Sequence, residues 1–240
     1  MSLSQDGTVL AIGYPDGLSR VQVYRLTQEE EWELIGGTIL DDDTRNREAG
    51  FALALSADGK TVAIGAPSLS RSGAGAVHVY RLVGETPDEV WTQLGETFSS
   101  THPSSNQDLA GFAVDLPEDG NTVAIGVPYN QDLQGYAAVW RYNETSQIWN
   151  RLGDAITGNH GDETGYRVAL SSDASILAVS DGGHRPYNSN RNGRVRVFAA
   201  PGSDGTNWTE LSNDIIPGGN FADGSYGLGR SLGISSDGLK

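Results

Sequence analysis

Three short blocks recur in the same order four times along the chain, and no other property of the sequence narrows the fold as far. The first is Trp32-Glu33-Leu34-Ile35-Gly36, repeated as Trp91-Thr92-Gln93-Leu94-Gly95, Trp149-Asn150-Arg151-Leu152-Gly153 and Trp208-Thr209-Glu210-Leu211-Ser212. These Trp residues stand 59, 58 and 59 apart, and seven residues after each comes Ile39, Phe98, Ile156 or Ile215. The second block runs from Asp6-Gly7 to Pro15, from Asp58-Gly59 to Pro67, from Asp119-Gly120 to Pro128 and, weakened, from Asp173-Ala174 to Gly182. The third is Val21–Arg25, echoed by Val77–Arg81, Ala137–Arg141 and Val195–Ala199. Self-similarity of this kind marks a repeat architecture, in which each unit buries its apolar face against the next.

Every repeat holds four strand-length runs, in the second Gly50–Ser56 (a), Thr61–Ala66 (b), Ala76–Leu82 (c) and Val90–Gly95 (d). They are rich in Val, Ile, Tyr and Trp and bounded by Gly, Asp and Pro, as strands are. Asp58-Gly59 suits a tight a–b hairpin. No segment sustains a 3.6-residue period, so helix should be nearly absent. Run b is slim, while c and d carry Tyr80, Trp140, Phe198 and the repeat Trp residues. That gradient fits sheets that converge on an axis and diverge at a rim. The expected fold is all-β: a propeller-type array of four-stranded antiparallel blades, within one repeat domain over 1–240. Blades are expected over 2–39, 50–98, 111–156 and 165–216, with a partial blade over 227–240. The unmatched ends predict an incomplete propeller, a segment of a longer array.

Composition excludes several classes. With 31 Asp and Glu against 16 Lys and Arg, the net charge of −15 opposes nucleic-acid binding. No apolar run approaches the roughly 20 residues of a membrane helix, and no leader pattern is visible at Met1–Gly7. The absence of Cys removes disulfides and thiolate chemistry. Lys60 and Lys240 are the only lysines, and such an acidic, Lys-poor surface suits a salty or extracellular setting.

The block from Gly50 to Pro67, ending Gly65-Ala66-Pro67, resembles the FG-GAP repeat of integrin-α-type β-propellers, in the shortened form found in bacterial and microalgal surface proteins. Gly13-Tyr14-Pro15 and Gly126-Val127-Pro128 keep the pattern, and Ser180-Asp181-Gly182 loses it. The resemblance implies an extracellular or cell-surface location and a role in adhesion or recognition. It does not bring a calcium site, because the a–b turns offer fewer oxygens than the six to eight calcium takes. No metal and no cofactor are expected.

Connections of varied length on a rigid frame are the place for recognition. The fourth b–c connection is basic and aromatic, and Arg185, Tyr187, Asn190, Arg191 and Arg194 are expected to grip an anionic or polar ligand. The bland alternative pairs these arginines with acidic neighbours such as Asp162 and Glu163. Tyr129 and Asp132, in the third b–c connection, are secondary ligand candidates. Trp32, Trp91, Trp149, Trp208, Gly65 and Pro67 are read as structural, and so is His78, whose place is taken by Gln22, Ala138 and Arg196 in sister repeats. The leading functional expectation is a non-catalytic binding or adhesion module for a protein or glycan. Two alternatives stand beside it. One is a glycan-processing enzyme drawing its acid and base from Asp162, Glu163 and Asp108, and the other is a structural spacer in a large surface protein.

Overall fold

A computed structural model describes residues 1–16, 19–40, 48–68, 74–99, 108–184, 193–202, 207–211, 213–216 and 228–238, with backbone alone for residues 131 and 132. Four antiparallel sheets stand side by side, each a meander with its strands in chain order. The first holds β1 (Ser2–Leu3), β2 (Val9–Tyr14), β3 (Arg20–Leu26) and β4 (Trp32–Ile39). The second holds β5 (Ala52–Leu55), β6 (Thr61–Ala66), β7 (Ala76–Val83) and β8 (Val90–Gln93), and β9 (Phe98–Ser99) returns to β7. In the third are β10 (Ala113–Asp115), β11 (Thr122–Val127), β12 (Tyr136–Asn143), β13 (Ile148–Arg151) and β14 (Ile156–Thr157), which returns to β12. One helical turn, α1 (Asn130–Leu133), separates β11 from β12. The fourth sheet is β15 (Thr164–Leu170), β16 (Ile176–Asp181), β17 (Arg194–Ala199) and β18 (Thr209–Glu210). This is the propeller-type array of four-stranded blades that the repeat predicts.

In the second and third blades the outer strand breaks where its Gly falls, and in the first its pairing shifts register there. At Gly36, Gly95 and Gly153 the backbone turns to positive φ, which only Gly enters without steric cost. The ladder resumes at the apolar residue seven places after the Trp: Ile39 pairs with Val21, Phe98 with Val77, Ile156 with Ala137 and Ile215 with Val195. The next blade's Trp fills the gap. Trp91 Nε1 donates to the Ile35 carbonyl at 3.0 Å, Trp149 to Leu94 at 2.7 Å and Trp208 to Leu152 at 2.8 Å. A Cβ at Gly36 would lie 2.5 Å from Trp91 Cδ1, and one at Gly95 would lie 2.6 Å from Trp149 Cδ1. Trp and Gly of this motif are therefore the two halves of an interblade latch. Trp32 has no described blade on its side, and it stands 43% exposed instead of between blades.

The Gly of the second block has a different cause. A Cβ on Gly13, Gly65 or Gly126 would strike the carbonyl oxygen of Gly50, Gly111 or Gly165, the residue that opens the next inner strand. Backbone meets backbone there, while within their own blades Gly50 and Gly111 donate N–H to Gly65 and Gly126 at 3.1 and 3.3 Å. Pro67, which has no N–H, follows directly on the end of β6. In the fourth blade Ser180 replaces the Gly, and its hydroxyl donates to the Gly229 carbonyl at 2.8 Å.

The core lies between blades. Val21, Val23 and Ile35 pack on Val62 and Ile64. Val77, Val79 and Phe98 pack on Val123, Ile125 and Trp149, and Val139 and Ile156 pack on Val168, Leu177 and Phe198. Strands β6 and β11, covered on both faces, are buried at every residue, which their slim side chains allow. Leu3, Leu55, Val114, Asp115, Leu170 and Ile234 line an axial opening of about 450 Å³.

Candidate active site

The fourth blade departs from its sisters at one end of β16, and there the buried charge collects. Asp181 occupies the place of Tyr14, Ala66 and Val127 and is fully buried. It pairs in register with Arg194 on β17, whose Nε donates to Asp181 Oδ2. Two residues on, Arg196 donates from Nε to Asp181 Oδ2 at 3.0 Å and from Nη2 to Oδ1 at 3.1 Å. Thr164, at the start of β15, donates its hydroxyl to Oδ1 at 2.7 Å. Arg194 spends the rest of its fork on Asp162 at 3.0 Å and Asp214 at 2.9 Å. Burial works against its charge, but these carboxylates outweigh burial and raise its pKa.

Asp162 joins this network to a histidine. Burial would raise its carboxyl, yet hydrogen bonds from Asn159 and His184 and the Arg194 charge prevail and hold it below the usual carboxylate range. Its Oδ2 accepts from the Asn159 backbone N–H at 2.8 Å, and Oδ1 lies 2.9 Å from His184 Nδ1. An ionised carboxylate only accepts, so Nδ1 carries the proton and Nε2 of a neutral ring presents its lone pair. The His184 side chain keeps 15% of its surface open to solvent. Glu163 is buried beside Asp162, with its side chain over Gly183. Asp108 is fully buried one repeat earlier.

An aromatic row leads to the same place. Phe51 packs on Phe112 with centroids 5.2 Å apart, and Phe112 on Tyr166 at 4.9 Å and Tyr129 at 5.9 Å. The Arg167 guanidinium lies over Phe112 and Tyr166. Tyr166 touches Gly182, two residues before His184.

Of the ligand candidates read from sequence, Arg194 lies at the centre of the charged cluster, paired with acidic neighbours, and Tyr129 lies in the aromatic row. Arg185, Tyr187, Asn190, Arg191 and the side chain of Asp132 fall outside the described residues. Sequence reading passed over Asp181, His184, Arg196 and Asp214. The signal was present at Ser180-Asp181-Gly182, where a motif ruled by backbone contact gives way to a carboxylate. Among the described residues no group of three or more His, Asp and Glu is placed to hold a metal ion, and no helix is long and apolar enough to cross a membrane.

No family model matches the chain, and no curated relative matches it. Solved structures do. A Bacteroides uniformis protein provisionally named a 6-phosphogluconolactonase aligns with TM-score 0.57 and 11% identity over 89% of this chain and 53% of its own. The periplasmic gluconolactonase PpgL of Pseudomonas aeruginosa aligns at TM-score 0.47 and 15% identity, over 88% and 69% of the two chains. The Dos1 propeller aligns at 0.49 and 14%, over 98% and 50%. The chain thus spans about half the length of the first of these structures. At such identity the likeness is one of fold. It nevertheless corrects the expectation of a non-catalytic adhesion module, because that expectation passed from frame to role. The frame matched here belongs to a protein named as an enzyme, and the expectation of no catalysis falls with it.

Proposed function

We propose that this protein hydrolyses an ester or lactone bond of a carbohydrate-type substrate, with His184 as general base and Asp162 as the group that orients it. The observation that carries the reading is the 2.9 Å Asp162–His184 hydrogen bond, held from behind by Arg194. In the step proposed, His184 Nε2 takes a proton from water as the water oxygen bonds to the substrate carbonyl carbon. The C–O bond then breaks, and the leaving alkoxide recovers the proton from Nε2. Asp162 itself makes a poor general acid, since its carboxyl is held ionised. Among glycan-processing reactions this favours acyl cleavage over a two-carboxylate glycosidase. Phe51, 38% exposed, heads an aromatic row that runs through buried Phe112 to Tyr166 near the dyad, and its open face suits a sugar ring. The provisional lactonase name of the Bacteroides protein agrees with this class.

The FG-GAP-type assignment is kept as a proposal, supported by the contacts that demand Gly at positions 65 and 111. A cell-surface or other extracytoplasmic setting is proposed with it, in keeping with the acidic composition. The test is acid release from D-glucono-δ-lactone and aryl sugar esters, measured above the spontaneous rate. Wild type should accelerate at least one of them, and His184→Ala should lose roughly 10²-fold or more of that rate with its melting unchanged. No acceleration on any substrate defeats the hydrolytic reading, and an unaffected His184→Ala defeats the site.

A further inference from the structure

In the middle strand β12 the residue facing the preceding blade is Ala138, where sister strands carry Gln22, His78 and Arg196. In the second and fourth blades a larger side chain occupies this place: His78 meets Thr97 at 3.2 Å, and Arg196 reaches the Thr157 carbonyl of the preceding blade at 3.2 Å. Beside Ala138 a cleft of about 400 Å³ remains between the second and third blades, within the size range of small-molecule sites. Phe98, Ile125, Val127, Tyr136 and Trp140 make its apolar and aromatic walls, and Glu96 and Arg151 add one charge of each sign. The rings of Phe98 and Trp140 lie 5.4 Å apart and tilted by 49°. Gln134, also on the lining, is tied down by donation to the Gly158 carbonyl at 2.8 Å.

One polar group in this lining stands unused among the described residues. Asn130, on α1, is 3% exposed, and its Nδ2 has no hydrogen-bond partner among them. Buried amide donors are nearly always satisfied, so an orphaned one on the wall of an open cleft points to a ligand. We propose that the cleft binds a small flat molecule bearing a carbonyl or carboxylate oxygen, with its ring among Phe98, Tyr136 and Trp140 and its oxygen accepting from Asn130 Nδ2. The cleft adjoins the charged cluster at Thr157, whose carbonyl accepts from Arg196 at 3.2 Å, and at Gln134, whose carbonyl accepts from the Thr164 N–H at 3.1 Å, and the proposal does not depend on the hydrolytic reading.

The probes are acetophenone and isopropylbenzene, of like shape but with and without the acceptor oxygen, titrated into the full chain and followed by ¹H–¹⁵N spectra. Acetophenone should shift the Trp140 indole and Asn130 side-chain signals saturably, and bind at least about tenfold more tightly than isopropylbenzene. Asn130→Leu should abolish that preference. Ala138→Gln, which gives the third blade the residue of the first, should fill the cleft and abolish binding of both, and it keeps the test sound should Asn130→Leu misfold. Absence of saturable shifts at Trp140 and Asn130 overturns the proposal, as does a preference that survives in Asn130→Leu or binding that survives in Ala138→Gln.

Discussion

Asp115 shows how one side chain can set a pH dependence for the whole fold. It sits at the end of β10 on the axial opening, its Oδ2 accepting from the Leu170 backbone N–H of the next blade at 2.7 Å. Crowding by protein atoms pushes its carboxyl up to about 6, against which the hydrogen bonds from Leu170 and Leu116 pull only partly. Below about pH 4 the group is protonated whether the chain is folded or not, and it contributes no difference. Between pH 4 and 6 the unfolded chain has released this proton while the native state retains it, so stability falls as pH rises, then levels off above pH 6. The total cost is at most about 3 kcal/mol. Asp115→Asn keeps an acceptor for Leu170 and removes the charge. It should gain roughly 1–2 kcal/mol over wild type at pH 7.5 and almost nothing at pH 4. Urea melts at the two pH values check this, and an equal effect at both would show that the charge is not the cause.

The interblade latch makes elements that share one motif unequal in worth. Trp149 is 4% exposed, packs against Phe98 and Tyr142, and donates to Leu94. Trp32 carries the same motif but meets no Gly of a preceding described blade. Trp149→Ala should therefore cost roughly 3–5 kcal/mol, and Trp32→Ala below about 1 kcal/mol, as read from denaturant melts of the two variants. Equal losses would mean that the indole stabilises its own blade and not the joint. This contrast also explains what the sequence could reveal. Period and strand order were legible because each Trp, Gly and Pro answers a local or next-neighbour demand that recurs in every repeat. The division of the outer strand into β8 and β9, and into β13 and β14, was not, since it depends on an indole from 55 or 56 residues away entering the gap. The charged cluster was half legible. Asp162 and Arg194 stood out as loop charges, but Asp181 and Arg196 lie inside strands and gain meaning only through the register that sets them side by side.

At the scale of the molecule, each blade is held by its neighbours and not by a core of its own, so stability should vary along the array. Strands β6 and β11 have an apolar cluster on each face and are buried throughout. In β2 only Val9 and Ala11 are buried, and among the described residues apolar packing covers one face of it. Strand β18 has two residues, both exposed, joined to β17 by the pairs of Phe198 with Glu210 and Ala199 with Thr209. Opening β11 breaks the joints on both sides, whereas releasing β18 exposes almost nothing apolar. Native-state hydrogen exchange should follow this order: amides of β6 and β11 last, at the free energy of global unfolding, β2 and β16 earlier, and β18 first by local fraying. Trp149→Ala, which weakens the central joint, should bring β11 towards the rate of β2 while leaving the protection of β2 itself nearly unchanged. If all four blades instead exchange together before and after that substitution, stability belongs to a closed assembly and not to the joints between neighbours.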